Sequence, residues 1–67
     1  MEHLLDYLRR EYSLPSDAAL AEAMEVSPPA ISKMRNGHTG LTASMMLRIH
    51  DVFGISIANI KRIAYGV

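Results

Sequence analysis

The sequence predicts an all-α protein of five short helices, and three observations carry that reading. Apolar residues recur at three- and four-residue intervals, Ser or Thr precedes most of these runs at a cap position, and Gly or Pro closes them. In the last run, "IANIKRIAY", β-branched Ile57 and Ile63 lower helix propensity slightly, but strand alternation does not persist and a period near 3.6 fits better.

Leu4, Leu5, Leu8 and Tyr12 make the apolar stripe of the first helix, which Pro15 ends. Ser16 caps the second, "DAALAEAM", with Asp17 well placed in its first turn and Leu20, Ala21 and Met24 on one face. Ser27 is the next cap and opens "PPAISKMRN", Pro28 to Asn36, which Gly37 closes. The missing N–H groups of Pro28 and Pro29 cost nothing where a helix start has unbonded donors. Since Pro29 offers no amide proton, the Ser27 hydroxyl is expected to reach Ala30 instead. Pro29 also disfavours α geometry in Pro28, which sets the start at Pro28 or one residue later. Leu41-Thr42 precedes "ASMMLRIHDVF" and Ile55-Ser56 precedes "IANIKRIAY". In each, the apolar residue before the cap can staple to one four beyond it, Met46 or Ile60, and Gly54 and Gly66 end the two helices.

The 67 residues, 1–67, are expected to form a single compact domain near the lower size limit for folding without metal or disulfides. There is no cysteine, which excludes disulfides and cysteine-based zinc sites. No apolar run approaches the roughly 20 residues of a spanning helix, and the acids in "MEHLLDYLRR" are unlike a signal peptide, so a cytoplasmic protein with no membrane partner is expected. Formal net charge is zero, but it is unevenly distributed. Glu2, Asp6, Glu11, Asp17, Glu22 and Glu25 against Arg9 and Arg10 leave the first 25 residues at −4, and Lys33, Arg35, Arg48, Lys61 and Arg62 against Asp51 leave the rest at +4. A neutral chain can thus carry a basic face.

The second and third helices, joined by "EVS" with small Ala21 where they cross and Val26 and Ile31 locking the turn, have helix-turn-helix geometry. The stretch "SDAALAEAMEVSPPAISKMRNG" resembles the Cro and phage-repressor type of helix-turn-helix, a family of bacterial and phage DNA-binding domains. "LTASMMLRIHDVFGIS" looks like that family's fourth helix and its link into the fifth, and the resemblance runs from about Leu14 to Ile63. It implies a compact five-helix domain with a core of Leu20, Ala21, Val26, Ile31 and Met34 around the motif, and operator binding, usually as a homodimer. The chain departs from the family pattern at three places. Asp17 and Pro28 stand where glutamines often contact a phosphate and an adenine, and Asp17 is expected to repel the phosphate. Glu25 stands where glycine is common, and a positive φ is expected there.

With Ile31 and Met34 facing the core, Pro28, Pro29, Ser32 and Lys33 lie toward the groove side, with Arg35 and Asn36 near the end. Lys33 can donate to guanine O6 or N7, Ser32 to a base or phosphate, and the prolines can meet a thymine methyl. Asn36 is a phosphate contact by resemblance, and His38 and Thr39 are candidates by exposure in the following loop.

No enzyme, cofactor or metal site is expected. His3, His38 and His50 lack metal-ligand spacing, and Ser44, His50 and Asp51 cannot converge from one helix. Met24, Met34, Met45 and Met46 read as core fillers, with one of Met45 and Met46 left outside because adjacent helical residues diverge. The alternative function is an antitoxin-like or other protein-interaction module. The last helix has more apolar residues than one stripe needs, and Ile63, Tyr65 and Val67 are the candidate surface for a homodimer or another protein partner.

Overall fold

The computed structural model describes residues 3–66. Its helices are α1 (Leu4–Glu11), α2 (Asp17–Met24), α3 (Pro28–Arg35), α4 (Ala43–Phe53) and α5 (Ile57–Tyr65). No strand occurs among the described residues, and no helix there is long and apolar enough to cross a membrane. The radius of gyration, 10.8 Å, equals that of a compact chain of this length, about 11 Å.

Local chemistry sets the boundaries. Ser16 Oγ accepts from the Ala19 amide at 3.1 Å, Thr42 Oγ1 from Met45 at 3.1 Å, and Ser56 Oγ from Asn59 at 3.2 Å. His3 caps α1, its Nδ1 accepting the Leu5 amide proton at 3.0 Å, a role the residue type does not advertise. Gly54 and Gly66 take left-handed geometry at the ends of α4 and α5.

α3 begins at Pro28 itself. A residue before proline is pushed into extended geometry, which is also what a cap requires, and Ser27 has φ −71° and ψ 147°. Its hydroxyl, however, makes no cap bond to Ala30. The Ala30 amide is taken by the Ser27 carbonyl at 3.0 Å, so the cap is made by the backbone.

One core joins all five helices: Leu4, Leu5 and Leu8 from α1, Leu20, Ala21 and Met24 from α2, Ile31 and Met34 from α3, Ile49 from α4 and Ile60 from α5. Val26, expected in this set, is only half-buried and packs against its edge, because the turn carrying it runs along the surface. Met45 and Met46 are both half-buried against the core, so neither is left outside. Leu41 and Met46 lie at the core edge, as do Ile55 and the partly buried Ile57 beside buried Ile60.

Tyr12 leaves the stripe. α1 stops at Glu11, Ser13 takes φ +54°, and the Leu14 amide returns to the Arg9 carbonyl at 2.9 Å. Tyr12, 40 % exposed, instead stacks on Phe53 with ring centroids 4.3 Å apart, tying the end of α1 to the end of α4. The α4–α5 turn is held by His50, whose Nδ1–H donates to the Ile55 carbonyl at 2.8 Å.

The turn between α2 and α3 has the left-handed residue expected at Glu25, with φ 57° and ψ 40°. Glu25 donates its N–H to the Glu22 carbonyl at 3.1 Å and Val26 donates to Ala21 at 3.0 Å, closing α2 as a glycine would. Left-handed geometry costs a non-glycine residue roughly 1–2 kcal/mol, while glycine gives the unfolded chain about 0.4–1 kcal/mol of extra entropy. Glu25→Gly is therefore expected to stabilise the fold by about 0.5–1 kcal/mol in chemical denaturation, and a clear loss of stability contradicts the turn geometry.

Candidate nucleic-acid interface

α3 is eight residues long, and a helix this short is held by its surroundings more than by itself. Ile31 and Met34 anchor its inner side in the core. Its far end is anchored by charge. Arg35 donates from Nε to Asp17 Oδ2 at 2.7 Å and from Nη2 to Asp17 Oδ1 at 2.8 Å, while its Nη1 lies 2.8 Å from Asp6 Oδ1. One guanidinium thus ties α3 to the first turns of both α1 and α2. Two parallel N–H···O bonds to one carboxylate form the most directional ion pair available to side chains. Arg9 completes the arrangement, with Nη1 3.4 Å from Asp17 Oδ1 and Nη2 donating to the Pro15 carbonyl at 2.7 Å.

These pairings set the charge states. The hydrogen bond from Arg35 is the main cause that holds the Asp17 carboxyl below the usual carboxylate range, against the opposing effect of burial and with help from Arg9. Asp17 in turn holds the Arg35 guanidinium firmly charged. One sequence expectation changes accordingly. Asp17 presents no free carboxylate to repel a phosphate, because Arg35 and Arg9 neutralise it. Arg35 is turned toward its own domain, with Nε and Nη2 on Asp17 and Nη1 on Asp6. The two members of the strongest pair are 18 residues apart, and no periodicity links them. The only available signal was an acid in the first turn of both α1 and α2.

The outer face of α3 is open. Pro28, Pro29, Ser32 and Lys33 are exposed, and Lys33 forms no ion pair among the described residues. Asn36 caps the C-terminus of α3 and is exposed, with Nδ2 3.4 Å from Ser32 Oγ. His38 and Thr39 are exposed in the following loop, where their amides fold back onto the Lys33 carbonyl at 2.9 and 3.4 Å. The same loop therefore brings Asn36, His38 and Thr39 to the end of α3. Beside the turn, Val26, Thr42, Ser44, Met45 and Arg48 line a shallow notch, with Arg48 3.8 Å from Glu25 across solvent.

On the opposite side of the sequence expectations, Ile63 is half-buried against the core, Tyr65 is 55 % exposed, and Val67 lies outside the described residues. α5 spends Ile63 on its own domain because Ile60 and Ile63 are three apart and share a face. Among the described residues no group of three or more His, Asp and Glu side chains is placed to hold a metal ion.

Five capped helices around one core, with a left-handed turn presenting the outer face of the third, define a helix-turn-helix domain. The model of the helix-turn-helix family matches residues 7–60, and the chain belongs to that family. No curated protein and no solved structure matches it. Family membership supports a general DNA-binding regulatory role and is consistent with a protein that is not an enzyme.

Removing the guanidinium while keeping an apolar stem, Arg35→Met, is expected to cost about 1–2 kcal/mol of stability. Asp17→Asn, at a half-exposed site, is expected to cost less than about 1 kcal/mol at neutral pH. Because the folded carboxyl lies below its ordinary value of 3.8, its contribution is complete above that pH and lost as pH falls through the folded value. The gap between wild type and Asp17→Asn in a pH series of denaturant titrations is therefore expected to close below about pH 4. A gap unchanged down to pH 2 contradicts the pairing.

Proposed function

We propose that this protein is a sequence-selective regulator of transcription, a small repressor of the Cro and phage-repressor type, that reads the major groove of double-stranded DNA with α3. The observation that carries this reading is the division of α3 into an inner side buried through Ile31 and Met34 and an outer side left open through Pro28, Pro29, Ser32 and Lys33. Arg35 holds the helix in place without occupying that outer side.

In this reading Lys33 donates to guanine, Ser32 to a neighbouring base or phosphate, and Pro28 and Pro29 meet the groove floor through carbon. Asn36, His38 and Thr39 contact phosphate from the loop. With Arg35 and Asp17 neutralising each other, positioning relies on neutral donors more than on charge, so salt dependence is shallow for a DNA-binding domain.

A homodimer supports the same reading, since one short helix offers few base contacts and two related by a two-fold axis can enter successive major grooves. Tyr65 is the residue that favours α5 as the contact. Half-buried Ile63 is unsuited to the test, because a charge there damages the core. Tyr65→Glu is expected to shift sedimentation of the chain from dimer toward monomer without loss of helicity, and a wild type that stays monomeric free and on DNA contradicts the dimer.

The second reading, an antitoxin-like or other protein-interaction module, is favoured by Leu47 and Tyr65, both 55 % exposed. Selection from a randomised duplex pool at stated salt separates the two. Against the recovered site, Lys33→Ala is expected to lower discrimination at one base-pair position by roughly 1–3 kcal/mol, while Asn36→Ala weakens selected and scrambled duplexes alike. Equal binding of the wild type to selected and scrambled duplexes rejects operator recognition and puts the interaction module first.

A further inference from the structure

The leading end of α3 has unusual chemistry for a surface that faces bases. A helix start ordinarily offers unbonded N–H groups to a ligand. Here Pro28 and Pro29 have none, and the Ala30 N–H is spent on the Ser27 carbonyl at 3.0 Å. What remains outward is carbon: two exposed pyrrolidine rings, fixed in φ by their own covalent structure. Beside them stands Ser27, exposed, with a hydroxyl that makes no cap bond. The first exposed side chains on α3 able to donate to a base are Ser32 and Lys33, four residues on from Pro28 and Pro29 respectively, about 6 Å along the axis.

Hydrogen-bonding base edges gain nothing from the two proline rings. A purine N7 or O6, or a cytosine amino group, pressed against proline loses water and finds no partner. The one feature of the major-groove floor that matches it is the C5-methyl group of a pyrimidine. We propose, resting on the DNA reading above, that Pro28 and Pro29 make this protein a reader of 5-methylpyrimidines: thymine, and 5-methylcytosine in its place, are preferred at the base step under the tip of α3. The rigid rings lose no rotamer freedom on contact, so burying the methyl meets no ordering cost from the protein side. The distance to Lys33 sets the spacing: at roughly 3.4 Å per base step, the methyl-bearing base and the guanine read by Lys33 lie about two steps apart in each half-site.

The test changes the DNA and leaves the protein intact. In the site recovered by selection, each thymine is replaced singly by uracil, which removes the methyl and keeps every hydrogen-bonding group. One position per half-site is expected to lose about fourfold in affinity, the value of burying one methyl-sized group. At that position 5-methylcytosine is expected to bind about fourfold better than cytosine. A Pro28→Ser, Pro29→Ser double variant, checked for retained helicity, is expected to bind the thymine and uracil sites equally. Affinity that changes less than twofold at every uracil substitution, in a wild type that still selects a sequence, overturns the inference and leaves the DNA reading standing. A wild type that selects no sequence overturns the DNA reading and the inference with it.

Discussion

The guanidinium of Arg35 is the interaction on which the functional arrangement depends. α3 has eight residues and no side-chain cap at its start, so neither its length nor its ends keep it in place. Burial of Ile31 and Met34 fixes its depth, but two apolar contacts leave rotation about the core face open. The bidentate pair with Asp17 and the contact with Asp6 remove that freedom, because they fix the C-terminal end of α3 against two other helices at once. At the other end the left-handed Glu25 and the chain turn through Val26 set the entry angle. The outer face of α3 is thus presented from two fixed points.

The same pairing governs the charge of the surface. It removes Arg35 from the set of cations available to a partner, and removes Asp17 from the set of anions that would oppose one. In the proposed DNA reading, a chain with no net charge recognises its site by shape, neutral donors and carbon, with Lys33 as the open cation on α3. The paired prolines belong to that economy. They start the helix without a capping hydroxyl, and they offer a rigid apolar end where charge is scarce.

Much of this was legible in the sequence, because it is governed by neighbours in the chain. The helix limits follow from Ser16, Thr42 and Ser56 as caps and Gly54 and Gly66 as stops, and the strain at Glu25 follows from the place of a non-glycine residue in a tight turn. The illegible features depend on residues distant in sequence or on competition between donors. Arg35 finds Asp17 only after α2 and α3 have folded together. Tyr12 is drawn off its stripe by Phe53, from another helix, and Ile63 is drawn inward by the core beside Ile60. The Ser27 hydroxyl stays unbonded because its own carbonyl reaches Ala30 first. Of the candidate interface, the sequence identified which side chains would be outward, but not that the charge at its end was already neutralised.

The central claim is that DNA meets the outer face of α3 and the loop that follows it. Residue-by-residue NMR shift mapping of the chain, titrated with a duplex recovered by selection and with a scrambled one, tests this most directly. The account predicts that the selected duplex moves the amides and side chains of Ser27 to Thr39, with Ser32 and Lys33 among the largest changes, that the buried Leu5 and Ile60 stay still, and that the scrambled duplex produces a weaker pattern. Shifts concentrated at Leu47 and Tyr65, with α3 unmoved, would contradict it.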